Sequence, residues 1–188
     1  MNQPKIQQLE EEIRKSYLNN PDELVRVFWN IHIETVIREA KGMAEKYGAD
    51  LEIVWLSAIL HDIGQFEDLK IHEEIGAEKS RIILKEKSFS EEILEKVSQT
   101  IITHRVNKHQ PETLEQKILA SADAVSHFKA PHYIWMARAS KKDLKGLFEK
   151  IHEKLDRDYN QKIFFEDEKK MVEEQYKMLK NWFNFKID

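Results

Sequence analysis

An all-α fold is predicted by three features of the sequence. Apolar residues recur at steps of three and four along most of the chain; glycine and proline number only five and four among 188 residues and fall mostly between the periodic segments; no heptad pattern is sustained. Hydrophobic residues make up 41% of the sequence, enough for a sizeable core, so the amphipathic segments are read as layers of one globular multi-helix bundle.

Ile6, Leu9, Ile13 and Tyr17 mark the inner stripe of a first helix ending near Asn19, with Glu10, Glu11 and Glu12 turned to water. Asn20, Pro21 and Glu23 supply a capping side chain, a preset φ and a capping-box acceptor, so a second helix is expected from there to Gly48. Its stripe of Leu24, Phe28, Ile31, Thr35, Val36 and Met43 includes His32, which therefore points inward. Asp50 caps a third helix that is apolar all round from Ile53 to Leu60, the mark of a helix surrounded by others, and that delivers His61 and Asp62 at its end. Gly64 is expected to follow in the left-handed conformation, and Gln65 to Lys70 to form a loop.

A helix beginning near Ile71 places His72, Ile75, Gly76, Lys79 and Ile83 on one side. Ser88 or Ser90 opens the next, where Ile93, Leu94, Val97, Ile101 and His104 recur at helical spacing. Pro111 starts a helix with Leu114, Ile118, Leu119, Ala122 and Val125 on its core face and Asp123 bordering it. Beyond Pro131 come the aromatic segment Tyr133 to Met136, a helix begun by Ser140 and Asp143 that carries Leu144, Leu147, Phe148, Ile151 and Leu155, and a last helix with Val172, Tyr176, Leu179 and Phe183.

Lys plus Arg is 30 and Asp plus Glu is 34, a net charge of −4, so the basic excess of a phosphate-backbone binder is missing and no specific nucleic-acid binding is expected. The absence of cysteine excludes disulfides, thiolate-bound zinc, iron–sulfur clusters and a thiol nucleophile. The first residues lack a signal-peptide pattern, and the longest apolar run, Ile53 to Leu60, falls short of the about 18 residues a bilayer requires, so a cytoplasmic protein without membrane contact is expected. Acidic and aromatic helix faces leave room for a homodimer.

The ionisable residues on inward faces are His32, His61, Asp62, His72, His104 and Asp123. One buried imidazole is usually a hydrogen-bonded core residue, but burying several together with two carboxylates costs kilocalories per group unless a divalent cation accepts their lone pairs and neutralises the anionic charge. His61 and Asp62 stand about 100° apart around a helix, so they share no stripe, yet both can reach a cation at the helix end.

In its order and its flanks this set resembles the HD-domain superfamily of metal-dependent phosphohydrolases: a His in His32-Ile-Glu-Thr-Val, a His-Asp doublet in Leu-Ser-Ala-Ile-Leu-His61-Asp62-Ile-Gly-Gln-Phe, and a late Asp in Ser-Ala-Asp123-Ala-Val-Ser-His-Phe. His72-Glu-Glu-Ile-Gly-Ala and Ile101-Ile-Thr-His104 are similar to those of its small stand-alone members. The resemblance implies an HD core over residues 24–130, with residues 131–188 as a helical extension packed on it. Two positions depart from the pattern: Gln65 stands where many relatives carry a lysine, and Ser121 where the subgroup carries an aspartate.

The resemblance further implies a hydrolase in which His32, His61, Asp62 and Asp123 hold one divalent ion (Mn²⁺, Mg²⁺, Co²⁺, Ni²⁺, Zn²⁺ or Fe²⁺). His72 and His104 would complete a second metal position with Asp62 bridging, or bind phosphate around a single ion. The expected reaction is hydrolysis of a small-molecule phosphoester, a nucleotide first of all, by water activated through the metal at Asp62. Arg105, Lys70 and Lys108 are candidates for phosphate contacts and Glu73 for the proton donor. His127 is an outer candidate one turn beyond Asp123, and His109, His132 and His152 carry no functional assignment. Trp29, Trp55, Phe66 and Trp135 are read first as core filling, with a nucleobase pocket as the alternative. Two other classes share the pattern: a di-iron oxygenase using all six ligands, and a non-catalytic module stapled by metal.

Overall fold

The structure, a computed structural model, describes residues 2–184. Among them the chain forms α-helices, two π-helical turns and connecting loops, with no strand. α1 (Gln3–Leu18) is capped by Asn2 and buries Ile6, Leu9, Ile13 and Tyr17. α2 (Glu23–Phe28) runs through a π-helical turn, Trp29–Ile33, into α3 (Glu34–Tyr47), which stops at Gly48 with φ +74°. The expected second helix is therefore not regular. Its cap is Asp22, whose side chain accepts the Leu24 N–H, and the widened turn falls where His32 leaves the helix. Such π turns interrupt α-helices mostly at functional positions.

α4 (Leu51–Leu60) is capped by Asp50, and every residue from Ile53 to Leu60 is buried. It lies against α1, α3, α6 (Glu91–Thr103) and α7 (Leu114–Lys129). Each large aliphatic side chain buried there contributes about 1.5–3 kcal/mol of transfer free energy. α5 (His72–Glu86) and α6 form an antiparallel pair, with Ser90 capping the second. α7 begins three residues later than Pro111 suggested, because Thr113 and Gln116 close a capping box there. It is the other central helix, packed by α3, α4, α6 and α10 (Glu166–Phe183).

The aromatic segment after Pro131 is helical, α8 (His132–Ala139), and Ser140 ends it rather than starting the next; Asp143 alone caps α9 (Leu144–Arg157). A second π-helical turn, Asp158–Lys162, joins α9 to the loop before α10. Glu168 of α10 accepts from Lys46 Nζ (2.9 Å) and the Tyr47 hydroxyl (3.0 Å), tying the C-terminal helices to α3. No helix among the described residues is long and apolar enough to cross a membrane.

Gly64 does not adopt the left-handed conformation expected of it; among the described glycines only Gly48 does. Its constraint is space. A Cβ on Gly64 would lie 2.8 Å from the His72 carbonyl oxygen and 2.9 Å from Ile75, and one on Gly76 would lie 2.8 Å from the His61 carbonyl oxygen. These two glycines let α5 close on the end of α4, where His61 and Asp62 stand.

Candidate metal centre

Four imidazoles meet in the interior with their tautomers fixed from behind. His61 Nδ1–H donates to the Ala58 carbonyl (2.9 Å), His72 Nδ1–H to Leu69 (3.1 Å) and His104 Nδ1–H to Ile101 (2.6 Å). His32 Nδ1 lies 3.0 Å from Ser126 Oγ, whose own proton goes to the Asp123 carbonyl (2.7 Å), so the hydroxyl accepts from His32. With Nδ1 protonated in all four rings, each Nε2 offers a bare lone pair, as a metal ligand requires.

The lone pairs converge on carboxylates. His32 Nε2 is 3.2 Å from His61 Nε2, 3.2 Å from Asp62 Oδ2 and 3.4 Å from Asp123 Oδ1. On the other side of Asp62, Oδ1 faces His72 Nε2 at 3.2 Å and His104 Nε2 at 3.6 Å. While the rings are neutral in this tautomer no proton stands between these pairs, and Asp62 Oδ1 is buried without a hydrogen bond. Acceptors facing acceptors away from water repel unless a cation lies among them. Of the three groups among the described residues close enough to hold one, two contain a carboxylate, His32 with His61 and Asp123, and Asp62 with His72 and His104; the third is His32 with His127 and His132. Asp62 points one oxygen at each set.

Burial favours the protonation states that bind metal. It pushes His32 down to about 4 and lowers His61 and His104 as well, keeping these rings neutral. His72 is moved down by burial and more strongly up by the neighbouring Asp62 carboxylate. Burial also works against ionisation of Asp62, but the positive charge that His61 and His72 carry whenever they are protonated outweighs it and holds the carboxyl well below its usual range.

The four residues read from the sequence as ligands, and the two histidines read as a second metal position or a phosphate contact, come together, whereas the other candidates divide. Glu73 is sealed off: Arg105 donates to one oxygen (2.7 Å), Asn107 to the other (3.1 Å), and the side chain does not line the cavity over the metal centre. Both oxygens are engaged away from the cavity; Glu73 clamps the residues on either side of Val106, a β-branched residue held at φ +52° two positions after His104. Arg105 lines the cavity while also donating to the Lys70 carbonyl (2.9 Å). Lys70 and Lys108 do not line it, and Lys108 turns to Glu74 (2.8 Å) on the surface. Phe66 and Trp135 do line it, but Trp29 and Trp55 are core residues.

Of a second charged layer beside Asp123, sequence reading singled out only His127 and missed Lys154, Asp158 and Lys162. His127 bridges Asp123 (3.3 Å) and Asp158 (2.8 Å); Lys162 pairs with Asp123; Lys154 lies 2.8 Å from Asp158. Burial moves Asp158 up, but Lys154 and His127 carry it well below its usual range. A signal was available. The stripe Leu147, Ile151, Leu155 continues at helical steps to Asp158 and Lys162, so the apolar face of α9 runs into charged residues at its end.

Comparison with known proteins agrees with this geometry. The family profile of the HD domain matches residues 30–127. Among curated proteins, a tRNA (cytidine(56)-2'-O)-methyltransferase of Picrophilus torridus is 36% identical over 104 residues, which are 49% of this chain but only 29% of that protein's length. Among solved structures, that of a predicted HD superfamily hydrolase from an uncultured Thermotogales bacterium superposes with a TM-score of 0.62 at 23% identity, over 93% of this chain and 87% of the other. The Lin1889 protein of Listeria innocua gives 0.70 at 18% identity, over 97% and 94%. These two likenesses speak for the fold. With the profile covering more than half of the sequence and each of its four signature ligands in the buried cluster, the chain belongs to the HD domain family.

Proposed function

We propose that the protein is a divalent-metal-dependent hydrolase acting on a phosphoester, with nucleotides as the first substrate class. The observation that carries this reading is the convergence of four Nε2 lone pairs on Asp62 and Asp123, in a cluster of which Asp62, Asp123, His72 and His104 line a cavity of about 940 Å³. A metal serving only as a staple needs no such opening.

When bound, divalent ions supply Lewis acidity that lowers the pKa of a water molecule and draws charge from phosphorus. The chain contributes the rest. Backbone carbonyls and Ser126 hold the four rings in one tautomer, and Asp62 presents an oxygen to each ligand set. Arg105 brings a guanidinium to the cavity, and Phe66 with Trp135 offers aromatic surface of the kind a nucleobase stacks on. Nothing in the cavity calls for a protein nucleophile.

The test is metal analysis of purified protein followed by a panel of nucleotides and simple phosphoesters with Mn²⁺, Mg²⁺ or Co²⁺. Metal-dependent phosphate release is expected; inactivity throughout the panel with full metal loading would refute the reading. Because both ligand sets are complete, an O₂-dependent di-iron reading has support too. Two irons per chain with iron-dependent oxygen uptake would favour it.

A further inference from the structure

The charged layer beside Asp123 has no part in holding metal, yet it is buried and opens on the same cavity. Lys162 is 2% exposed and Asp158 fully buried, and Lys154 and Lys162 both line the cavity. Buried ion pairs are commonly no more stabilising than apolar residues of similar size, so stability alone does not account for them. Their position is built. Ser121 Oγ donates to the Lys162 carbonyl (3.2 Å) and accepts the Phe164 N–H (3.0 Å), fastening the end of the second π turn to α7 two residues before Asp123.

The balance of charge indicates what this wall receives. Lys154, Arg157 and Lys162 face two carboxylates, Asp158 and Asp123, and the second of these belongs to the ligand set. Of the other acidic residues that line the cavity, Asp62 faces the imidazoles, Glu67 is paired with Lys79 and Asp22 caps α2, while Glu153 is outweighed by Lys141 and Lys150, which line it as well. His132, 5% exposed and lining the same cavity, has a buried Nδ1 without a partner. His32, His127 and His132 lie close enough to share a cation, but the Lys154 ammonium 3.3 Å from His127 and Lys162 on Asp123 bring positive charge to that place. Electrostatics there favour an anion.

We propose that Lys154 and Lys162 form an anion-binding wall on the Asp123 side of the metal centre, which takes the dianionic phosphate of a phosphomonoester in preference to a singly charged phosphodiester. This rests on the hydrolase reading for its setting and narrows the substrate class. One imidazole, His127, separates the Lys154 contact from the Asp123 contact, so an anion on the two lysines adjoins the metal ligands. Divalent ions drawn to Asp123 leave the Lys162 charge uncompensated, which strengthens its claim on a dianion.

The experiment is calorimetric titration of Mg²⁺-loaded protein with inorganic phosphate and with dimethyl phosphate as the singly charged probe, at slightly alkaline pH, with metal content measured alongside. Wild type is expected to bind inorganic phosphate at least about tenfold more tightly than dimethyl phosphate, and Lys154→Gln to lose about tenfold in phosphate affinity with unchanged metal content. Should Lys154→Gln fail to fold because Asp158 is left unpaired, Lys154→Gln/Asp158→Asn removes both charges and is expected to show the same loss. Equal phosphate affinity in wild type and either folded variant, or no preference for phosphate over dimethyl phosphate, would overturn the proposal. Phosphate binding that depends on Lys154 in a protein that hydrolyses no phosphoester would sink the hydrolase reading alone, whereas hydrolysis with Lys154-independent phosphate binding would sink the wall alone.

Discussion

Asp62 faces His32 and His61 with one oxygen and His72 and His104 with the other, so a single side chain serves both ligand sets. Asp62→Asn keeps the shape but replaces one oxygen with an amide that cannot act as an anionic ligand. Residues that merely orient ligands are worth about 10–100-fold in metal affinity, so a loss of at least about 100-fold is expected here, with activity falling in step; metal titration followed by calorimetry checks it, and near wild-type affinity would remove Asp62 from the centre. Glu73 makes the opposite case. As the clamp on Arg105 and Asn107, it predicts that Glu73→Gln loses about 1–3 kcal/mol in denaturant unfolding, while the pH profile of remaining activity keeps its shape; a lost alkaline limb would restore Glu73 as the proton donor. The gathering of the six side chains was legible because motif order and inward-facing stripes agree on them. Lys154, Asp158 and Lys162 were not seen to join them: the stripe of α9 leads to them, but Lys and Asp at helical spacing in a charged tail are usually solvated, and the packing of the π turn against α7 reverses that.

At the scale of elements, the doublet is placed by how closely α5 approaches the end of α4. Gly76 lets α5 meet the His61 carbonyl, and a methyl group there would sit 2.8 Å from that oxygen. Both partners are main chain at the ends of packed helices, so neither yields cheaply. Gly76→Ala is expected to cost about 1–3 kcal/mol and to weaken metal binding as the ligands move, even though alanine is the better helix former by about 1 kcal/mol; a stabilised variant with normal metal content would show that α5 shifts freely. Periodicity and caps made the helices readable, including the wholly apolar α4 and the stop at Gly48. They could not reveal the π turns at Trp29–Ile33 and Asp158–Lys162, because one extra residue per turn leaves the apolar stripe nearly intact while rotating the next stretch of chain about the helix axis. Both turns carry residues of the site, His32 in one and Asp158 and Lys162 in the other.

Across the whole molecule, the metal centre sits where α4 and α7 meet the π turn at His32, but it does not make up the core. Leu56, Ile59, Leu60, Ile118 and Leu119 of the two central helices are fully or almost fully buried in the hydrophobic core, and Lys162 already compensates Asp123. A helical bundle of this kind stands without its ion, unlike a metal-nucleated fold that unfolds on chelation. Treatment with EDTA is therefore expected to leave the far-ultraviolet circular dichroism unchanged at room temperature. It should still lower the thermal midpoint, because an ion bound at 100 times its Kd contributes about 2.7 kcal/mol, which for a protein of this size corresponds to roughly 5–11 °C. Restoring Mn²⁺ or Mg²⁺ should return the midpoint in proportion to the logarithm of free metal. Collapse of the helical signal on chelation would instead make the ion a staple and turn the reading towards a non-catalytic module; a midpoint indifferent to metal would mean that the four lone pairs meet around something other than a divalent cation.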